Sequence, residues 1–549
     1  MADPSPPGAQ ELVQQLDNYA ASPTTPDQLV QLLRPPRLGL RSTPSLRNVY
    51  GSAQGFWPAL AGVWKVEADR LAADDKSTIP AVTALAAFVL SLSTQNPHNQ
   101  EQAVAHVEPE LRRVLLTASS LFNLEHAEWQ GMTRVCCQTL ANLVTANEKV
   151  AASFFPERLQ LEEQDRLFER LFASPDQGTI QALLIFLLNS IHGSHTRALL
   201  LGTSKAGAGL LDRLMVLVDV LFNDESPEGI ANEDFASGLF GLAFAIVQQL
   251  ISLGVFEATY DAHPLMPGYH VDPSLVTLLK FVDGHLSTTS RAVSPRALAL
   301  VPFLVRQLQR FSDGLERIRD AGDVPTFQAA VLVLHCLCSV GLALEYEEGR
   351  ETEEREIEAA EVGKTRKGMV EGVEGVVALL RFSQTLLPPP QPRPAPPTPT
   401  TAAASPPPAR FTELDPSSAP SPPASAPPPA PTPASSDSLA ATPAVAQLQR
   451  TCAQYLSIVS FAPPGTTKTS GAARNAQDRT RESGGLGVLL SMCQIDERNP
   501  TMREHALFAI RTLLKGNQES QDFVEGIKPE YLVGPGGELL DLPPALRKE

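Results

Sequence analysis

GGLGVLLSMCQIDERNPTMREHALFAIRTLLKGNQESQDFVEGIKP, Gly484 to Pro529, carries its own punctuation. Asn499 is a good helix N-cap, Pro500 follows at the first helical position where its missing N–H is harmless, and Gly516 lies where helices commonly end. These signals predict one helix of about sixteen residues. Within it Met502, Ala506, Ala509, Ile510, Leu513 and Leu514 recur at three- and four-residue spacing and form one apolar stripe. Asn517 then starts a second, short helix ending near Gly526. A glycine pair, an apolar helix, an Asn-Pro break, a long helix, an Asn and a short helix fill about 42 residues, the period of an armadillo repeat.

The pattern recurs upstream. In MTRVCCQTLANLVTANEKVAASFF, Leu140, Leu143, Val144 and Asn147 match Ile510, Leu513, Leu514 and Asn517 at a constant offset of 370. A looser copy is TIQALLIFLLNSIHGSHTRALLLG, followed by the apolar helix LLDRLMVLVDVLF. One such unit cannot cover its own apolar faces, so the copies are expected to stack into a right-handed α-solenoid. The predicted fold is therefore all-α and armadillo-like.

Composition divides the 549 residues further. Residues 1–54 are Pro-punctuated and read as a partly ordered lead-in with short helices such as Asp27 to Leu33. Residues 55–387 form the helical-repeat region. Residues 388–443 hold 21 prolines in 56 positions, too many for a packed element, and are expected to be a disordered Pro/Ala/Ser/Thr-rich linker. Residues 444–531 are read as a C-terminal helical domain and 532–549 as a tail. The charged run from Glu345 to Lys364 is expected to be a solvated helix extension or loop.

At the C-terminal segment, Ile495-Asp496, Asn499-Pro500, Glu504-His505-Ala506, Ile510-Arg511, Leu513-Leu514 and Gly516-Asn517 resemble the signature of the ataxin-10 family. Gln477-Asp478, Arg481-Glu482 and Gly484-Gly485 extend the resemblance upstream. The family's pattern has an aromatic after the Asn-Pro and further asparagines where this chain has Thr501, Thr512 and Ser520. The resemblance implies a cytoplasmic helical-repeat protein with a role in regulating cytokinesis, and in animals also in neuron survival and process outgrowth. It brings no catalytic residues, and the residues themselves give no cofactor or metal site. In peptide-binding armadillo proteins an Asn before the paired apolar residues grips an extended ligand. Asn142 and Asn189 match that position and are candidate peptide contacts, whereas Thr512 does not.

The remaining patterns exclude more than they suggest. A formal charge of −17 disfavours broad attraction to nucleic acid or anionic membrane. Six cysteines in so long a chain describe no disulfide framework and fit a reducing compartment. Gly238 to Phe256 is long and apolar enough for a membrane span, but Gln248 and Gln249 sit at its centre without flanking cations, so a buried solenoid helix is preferred. The glycine-rich Gly202 to Gly209 lacks phosphate-loop spacing and reads as a flexible inter-helix loop. A Cys-x-Cys on one helix, Cys336 and Cys338 beside His335, points its thiols about 200° apart and cannot chelate. Cys136-Cys137 and the pair His192 and His195 lack further ligands. His263, His270, Asp261 and Asp272 fall in a loop and are expected to stay solvated. PPPQPRPAPPTP reads first as a spacer and second as a polyproline ligand. The expected function is a non-enzymatic scaffold that binds proteins, with no nucleic acid and no integral membrane association, and with a homo-oligomer left open. A peptide or cargo adaptor is the alternative, and a copper-related or enzymatic role the remote one.

Overall fold

The computed structural model describes residues 7–162, 166–223, 233–263, 271–288, 295–315, 324–349, 359–386, 436–461, 471–494, 496, 499–527, 531–533 and 539–541. Contacts divide the chain into two units, Met1–Phe303 and Leu304–Glu549. Each is a stack of helices arranged in three columns.

In the first unit the layers follow one another in a fixed order. They are α1 Ala9–Ala21, α2 Pro26–Ser42 and α3 Leu46–Gly51; α4 Phe56–Ala72, α5 Ile79–Ser93 and α6 Pro97–His106; then α7 Glu108–Ala118, with the short α8 Leu121–Leu124, α9 Ala127–Val144 and α10 Glu148–Leu159. Next come α11 Leu167–Leu171, α12 Gln177–Ile191 and α13 His195–Thr203, and α14 Lys205–Asn223, α15 Glu233–Ser252 and α16 Phe256–Ala262. α17 Pro273–Thr288 and α18 Pro295–Ala299 end the unit, and α19 Val301–Asp313 spans the division. The long helices α2, α5, α9, α12 and α15 each pack on the next and form one column. α6, α10, α13 and α16 form a second, and α4, α7, α11, α14 and α17 a third.

The second unit repeats this order. It comprises α20 Val324–Gly349, α21 Ala359–Val370, α22 Val373–Leu386, α23 Ser436–Val459, α24 Gly471–Glu482, α25 Gly485–Ser491, α26 Met502–Leu514 and α27 Gln518–Glu525. α20, α23 and α26 form its long-helix column, α21, α24 and α27 another, and α22 packs on α25. A small antiparallel pair, β1 Tyr531–Val533 with β2 Leu539–Asp541, follows and is the only strand pairing among the described residues. The architecture is thus the expected all-α, armadillo-type solenoid.

A recurrent turn sets the layer period. After α5, α9, α12 and α26, the residue closing the helix is extended and the next is left-handed: Gln95 at φ 53°, Ala146 at 54°, Gly193 at 66° and Gly516 at 69°. An N-cap follows, and its backbone N–H closes the turn onto the carbonyl three residues back, as in a type II turn. The caps are Asn96, Asn147, Ser194 and Asn517, and each side-chain oxygen accepts from the N–H three residues on. A left-handed residue strains Gln95 and Ala146 but not the two glycines.

Several expectations change. Residues 9–51 are a packed layer, not a lead-in: Leu12, Leu16 and Tyr19 of α1 and Leu29, Leu33 and Leu40 of α2 are buried. α2 runs through Pro35 and Pro36 because burial against α5 offsets the lost hydrogen bonds. Most of the Pro-rich stretch lies outside the described residues, but α23 begins at Ser436 and includes Pro443. The expected boundary at 443 therefore falls inside a helix. The segment from 444 is also no separate domain, since α23 packs on α20 and α22 from before the proline stretch. Tyr455 of α23 donates to the Met369 carbonyl of α21, and Arg479 of α24 lies between Glu371, at 3.0 Å, and Glu374 of α22.

Gly238 to Phe256 is broken by Gly254 at φ 70°, with α16 turned 110° from α15. By length and apolar composition, Lys76–Ser93 and Pro325–Glu347 could also cross a membrane. Here α5 is packed between α2 and α9, and α20 against α23. The glycine-rich 202–209 is a tight joint rather than a flexible loop, with only Ser204 between α13 and α14. A Cβ on Gly202 would lie 2.0 Å from Thr259 Oγ1, and one on Gly207 would lie 2.1 Å from the Leu201 carbonyl.

Candidate protein-interaction surface

The polar side chains at the layer junctions are consumed in holding layers together. Gln100 of α6 donates to the carbonyls of Asn142 and Thr145 at the end of α9, at 2.7 and 3.0 Å. In the second unit Gln477 of α24 donates to the carbonyls of Thr512 and Lys515 at the end of α26, at 3.1 and 3.2 Å. These acceptors correspond at the 370-residue offset, so one device closes both helix ends, whose last carbonyls have no partner within the helix. Asn147 donates to Gln100 Oε1 and Asn517 to Asp478 Oδ1, at 3.0 and 2.9 Å. Both asparagines therefore cap their own helix with oxygen and bind the preceding layer with nitrogen.

Charge reinforces the same junctions. Arg134 of α9 pairs with Asp176, the N-cap of α12, and Arg197 of α13 pairs with Glu148 of α10 at 2.6 Å. Arg481 reaches Asp478, Glu519 and Asn517, while Arg474 reaches Asp478 and the Gly516 carbonyl. Burial works to raise the Asp176 and Asp478 carboxyls, but hydrogen bonds outweigh it and hold both below the usual carboxylate range. The donors are Arg134 and Thr179 for Asp176, and Asn517, Arg481 and Arg474 for Asp478.

The signature residues separate by exposure. Ala506, Ile510, Leu513 and Asn517 are buried. Asn499 is buried too, but it caps nothing: α26 begins at Met502, and the Asn499 amide donates to the Ala446 carbonyl and Gln449 Oε1 of α23. Its Oδ1, the atom a cap would use, instead accepts from Arg450 Nη1 of α23 at 3.0 Å. His505 and Leu514 are half-buried, while Pro500, Glu504 and Arg511 are exposed. Asn142 and Asn189 lie half-exposed on α9 and α12. Their Nδ2 groups donate within the column, to Ser93 Oγ at 2.7 Å and to Thr145 Oγ1 at 2.8 Å. Thr512 is buried, its hydroxyl turned to the Phe508 carbonyl. Trp57, Trp64 and Trp129 are all buried.

The other candidate groups scatter. His192 closes α12 and His195 opens α13, on either side of the Gly193 turn. His263 is buried against the Thr259 carbonyl, and His270 lies outside the described residues. Asp272 is buried rather than solvated, accepting from the backbone and hydroxyl of Ser274 to start α17. Cys136, Cys137, Cys336, Cys338 and Cys452 are buried. Burial alone pushes the Cys136 thiol far up, the opposite of an activated nucleophile. No three His, Cys, Asp or Glu side chains gather as metal ligands among the described residues. A recess lined by Glu108, Arg112, Phe154 and Arg158 has about 10 Å³ of space, room for about one water. Its Glu108–Arg158 pair is a buried ion pair, with Arg158 over the Phe154 ring at 4.9 Å.

Residues 470–540 match the family model described as the spinocerebellar ataxia type 10 protein domain. An ataxin-10 homolog of Candida glabrata is 46% identical over 55 residues, covering 10% of this chain and 10% of that protein. One of Dictyostelium discoideum is 41% identical over 69 residues, covering 13% and 11%. The chain thus spans about a tenth of the length of the curated relatives it matches. Among solved structures, a complex of SYS-1 with POP-1 aligns at TM-score 0.34 and 10% identity over 94% of each chain. A circular tandem repeat protein aligns at TM-score 0.26 and 12% identity, over 95% of this chain and 99% of that one.

Proposed function

We propose, from the ataxin-10 domain that residues 470–540 carry, that this chain is a non-enzymatic cytoplasmic scaffold that binds proteins and acts in cytokinesis. The observation that supports this reading is the use made of the polar signature. Gln477, Asp478, Arg481 and Asn517 lock one layer to the next, and none of them lines the recess at Glu108 and Arg158. What such a stack offers a partner is its surface. The apolar helices α5 and α20 belong to the core of the stacks, and membrane association is not part of the proposal.

The peptide-receptor alternative needs free amide donors and exposed aromatics along the long-helix column. Asn142 and Asn189 donate to neighbouring layers, and the three tryptophans are buried, which disfavours it. Proximity labelling with the full chain in dividing cells, combined with depletion, tests the scaffold. Labelled partners at the division site and an accumulation of multinucleate cells are expected. Normal division on depletion would remove the cytokinesis role, and turnover of a substrate by the purified chain would remove the scaffold.

A further inference from the structure

The row on α26 formed by Arg503, Leu507, Arg511 and Leu514 corresponds, at the 370-residue offset, to Thr133, Cys137, Ala141 and Val144 of α9. All four α9 residues are buried. Another long helix, α12, lies against α9, and the field of its N-cap Asp176 reaches the Cys137 thiol. On α26 the row is open: Leu507 is 49% exposed, Arg503 and Arg511 are exposed, and Leu514 is half-exposed. Phe508 beside it is 57% exposed. No helix follows α27 among the described residues.

Two features identify what fits there. The position is one that a helix covers elsewhere in the same chain, so a helix is the complementary shape. The second is charge. Where α9 has Thr133 and Ala141, α26 has two arginines that flank the apolar pair and make no ion pair among the described residues. Arg474, Arg479 and Arg481 of the neighbouring α24 all pair with carboxylates. Glu504, exposed between Leu507 and Phe508 around the helix, is the one acidic side chain on this face, and Arg503 and Arg511 outnumber it. A face meant only to meet water would carry polar side chains in place of Leu507 and Phe508. Aromatic and arginine side chains together are the usual anchors of a protein interface.

We propose that this open face of α26 docks an amphipathic helix of a partner protein, seated where the next layer's long helix would lie. The partner's apolar anchors pack on Leu507 and Phe508, and its carboxylates meet Arg503 and Arg511. This rests on the scaffold reading above and gives it a site and a partner chemistry.

The test uses the full chain and a fluorescein-labelled sixteen-residue helical peptide with leucines at i, i+3, i+4 and i+7 flanked by glutamates. Its control has lysines in place of the glutamates. Fluorescence anisotropy is expected to show binding of the acidic peptide alone, weakened about tenfold or more by Leu507→Ser with Phe508→Ser and by Arg503→Glu with Arg511→Glu. The charge-reversed chain should instead take the lysine peptide, a switch that loss of folding cannot produce. Equal binding of both peptides, or binding unchanged in both variants, overturns the proposal. So does self-association abolished by the same substitutions, which would make a second copy the occupant, or binding seen only after removal of residues 528–549, which would make that segment the occupant. Partner labelling in cells that survives these substitutions would defeat this face alone and leave the scaffold standing. Loss of all labelled partners with the unaltered chain would defeat the scaffold instead.

Discussion

The layer of α9 and α10 and the layer of α26 and α27 are built alike and bounded differently. Both long helices end in a left-handed residue followed by an Asn cap, and both ends are closed by a glutamine from the preceding layer. On the side facing the preceding layer the two match: Cys136, Thr139, Leu140 and Leu143 are buried, and so are Ala506, Ala509, Ile510 and Leu513. They part on the other side, where α12 covers α9 and nothing described covers Leu507. The same turn and cap chemistry thus accompanies a sealed joint at α9 and an open surface at α26. The faces themselves differ in composition, with Arg503 and Arg511 where α9 has Thr133 and Ala141.

The largest expected effect concerns which helices α23 needs. Residues 436–549 alone would expose Cys452, Tyr455 and Leu456, which are buried in a unit that includes α20 and α22. Circular dichroism should show no cooperative melt for that fragment, whereas residues 304–549 should melt as one transition. Excising 388–435 and joining the ends with a short Gly/Ser linker should leave the melting temperature nearly unchanged. A stable isolated fragment would restore the separate C-terminal domain.

Next come the shared core positions. Leu143→Ala and Leu513→Ala should each destabilise by about 2–5 kcal/mol in denaturant titrations. Leu143, packed within a longer stack, should lie toward the upper end. Equal or reversed values would show that the layer of α26 is as tightly held as the layer of α9.

The glutamine devices follow. Gln100→Ala or Gln477→Ala leaves carbonyls at a helix end without their partner and should lose about 1–3 kcal/mol. Asn147→Ala and Asn517→Ala, measured the same way, should lose about 1–2 kcal/mol.

The smallest effect is the pH dependence. Asp176 and Asp478 have folded-state carboxyls below their unfolded values, so their contribution is present above the unfolded value and is lost as pH falls through the folded one. Stability should decline on acidification below the ordinary aspartate range, and Asp176→Asn with Asp478→Asn should flatten that limb. An unchanged slope would show that neither junction depends on its carboxylate. Both groups are partly solvated, so the slope should be shallow.

The cap at Asn517, the stripe from Met502 to Leu513 and the 370-residue match with Asn147 were legible because spacing and N-cap chemistry are local. The same rules misplaced Asn499 and the break at Pro35-Pro36. Their competing partners, the Arg450 guanidinium that donates to Asn499 Oδ1 and the α5 surface, lie far away in sequence. Gln100 carried no signal, and Gln477 was legible only as part of the family resemblance and not as a junction, because each acts on carbonyls more than thirty residues away.

By itself, then, the sequence determined that the chain is helical, that its helices come in capped pairs with a period near that of armadillo repeats, and that the last pair bears the ataxin-10 signature. Periodicity and capping suffice for that because they act within one or two helical turns. Only the tertiary structure decided that helices on either side of the proline stretch share one core, that the polar signature locks layers, and that Leu507, Phe508 and the two arginines face solvent. Burial depends on which helix arrives from elsewhere in the chain, and spacing along one helix does not contain that information.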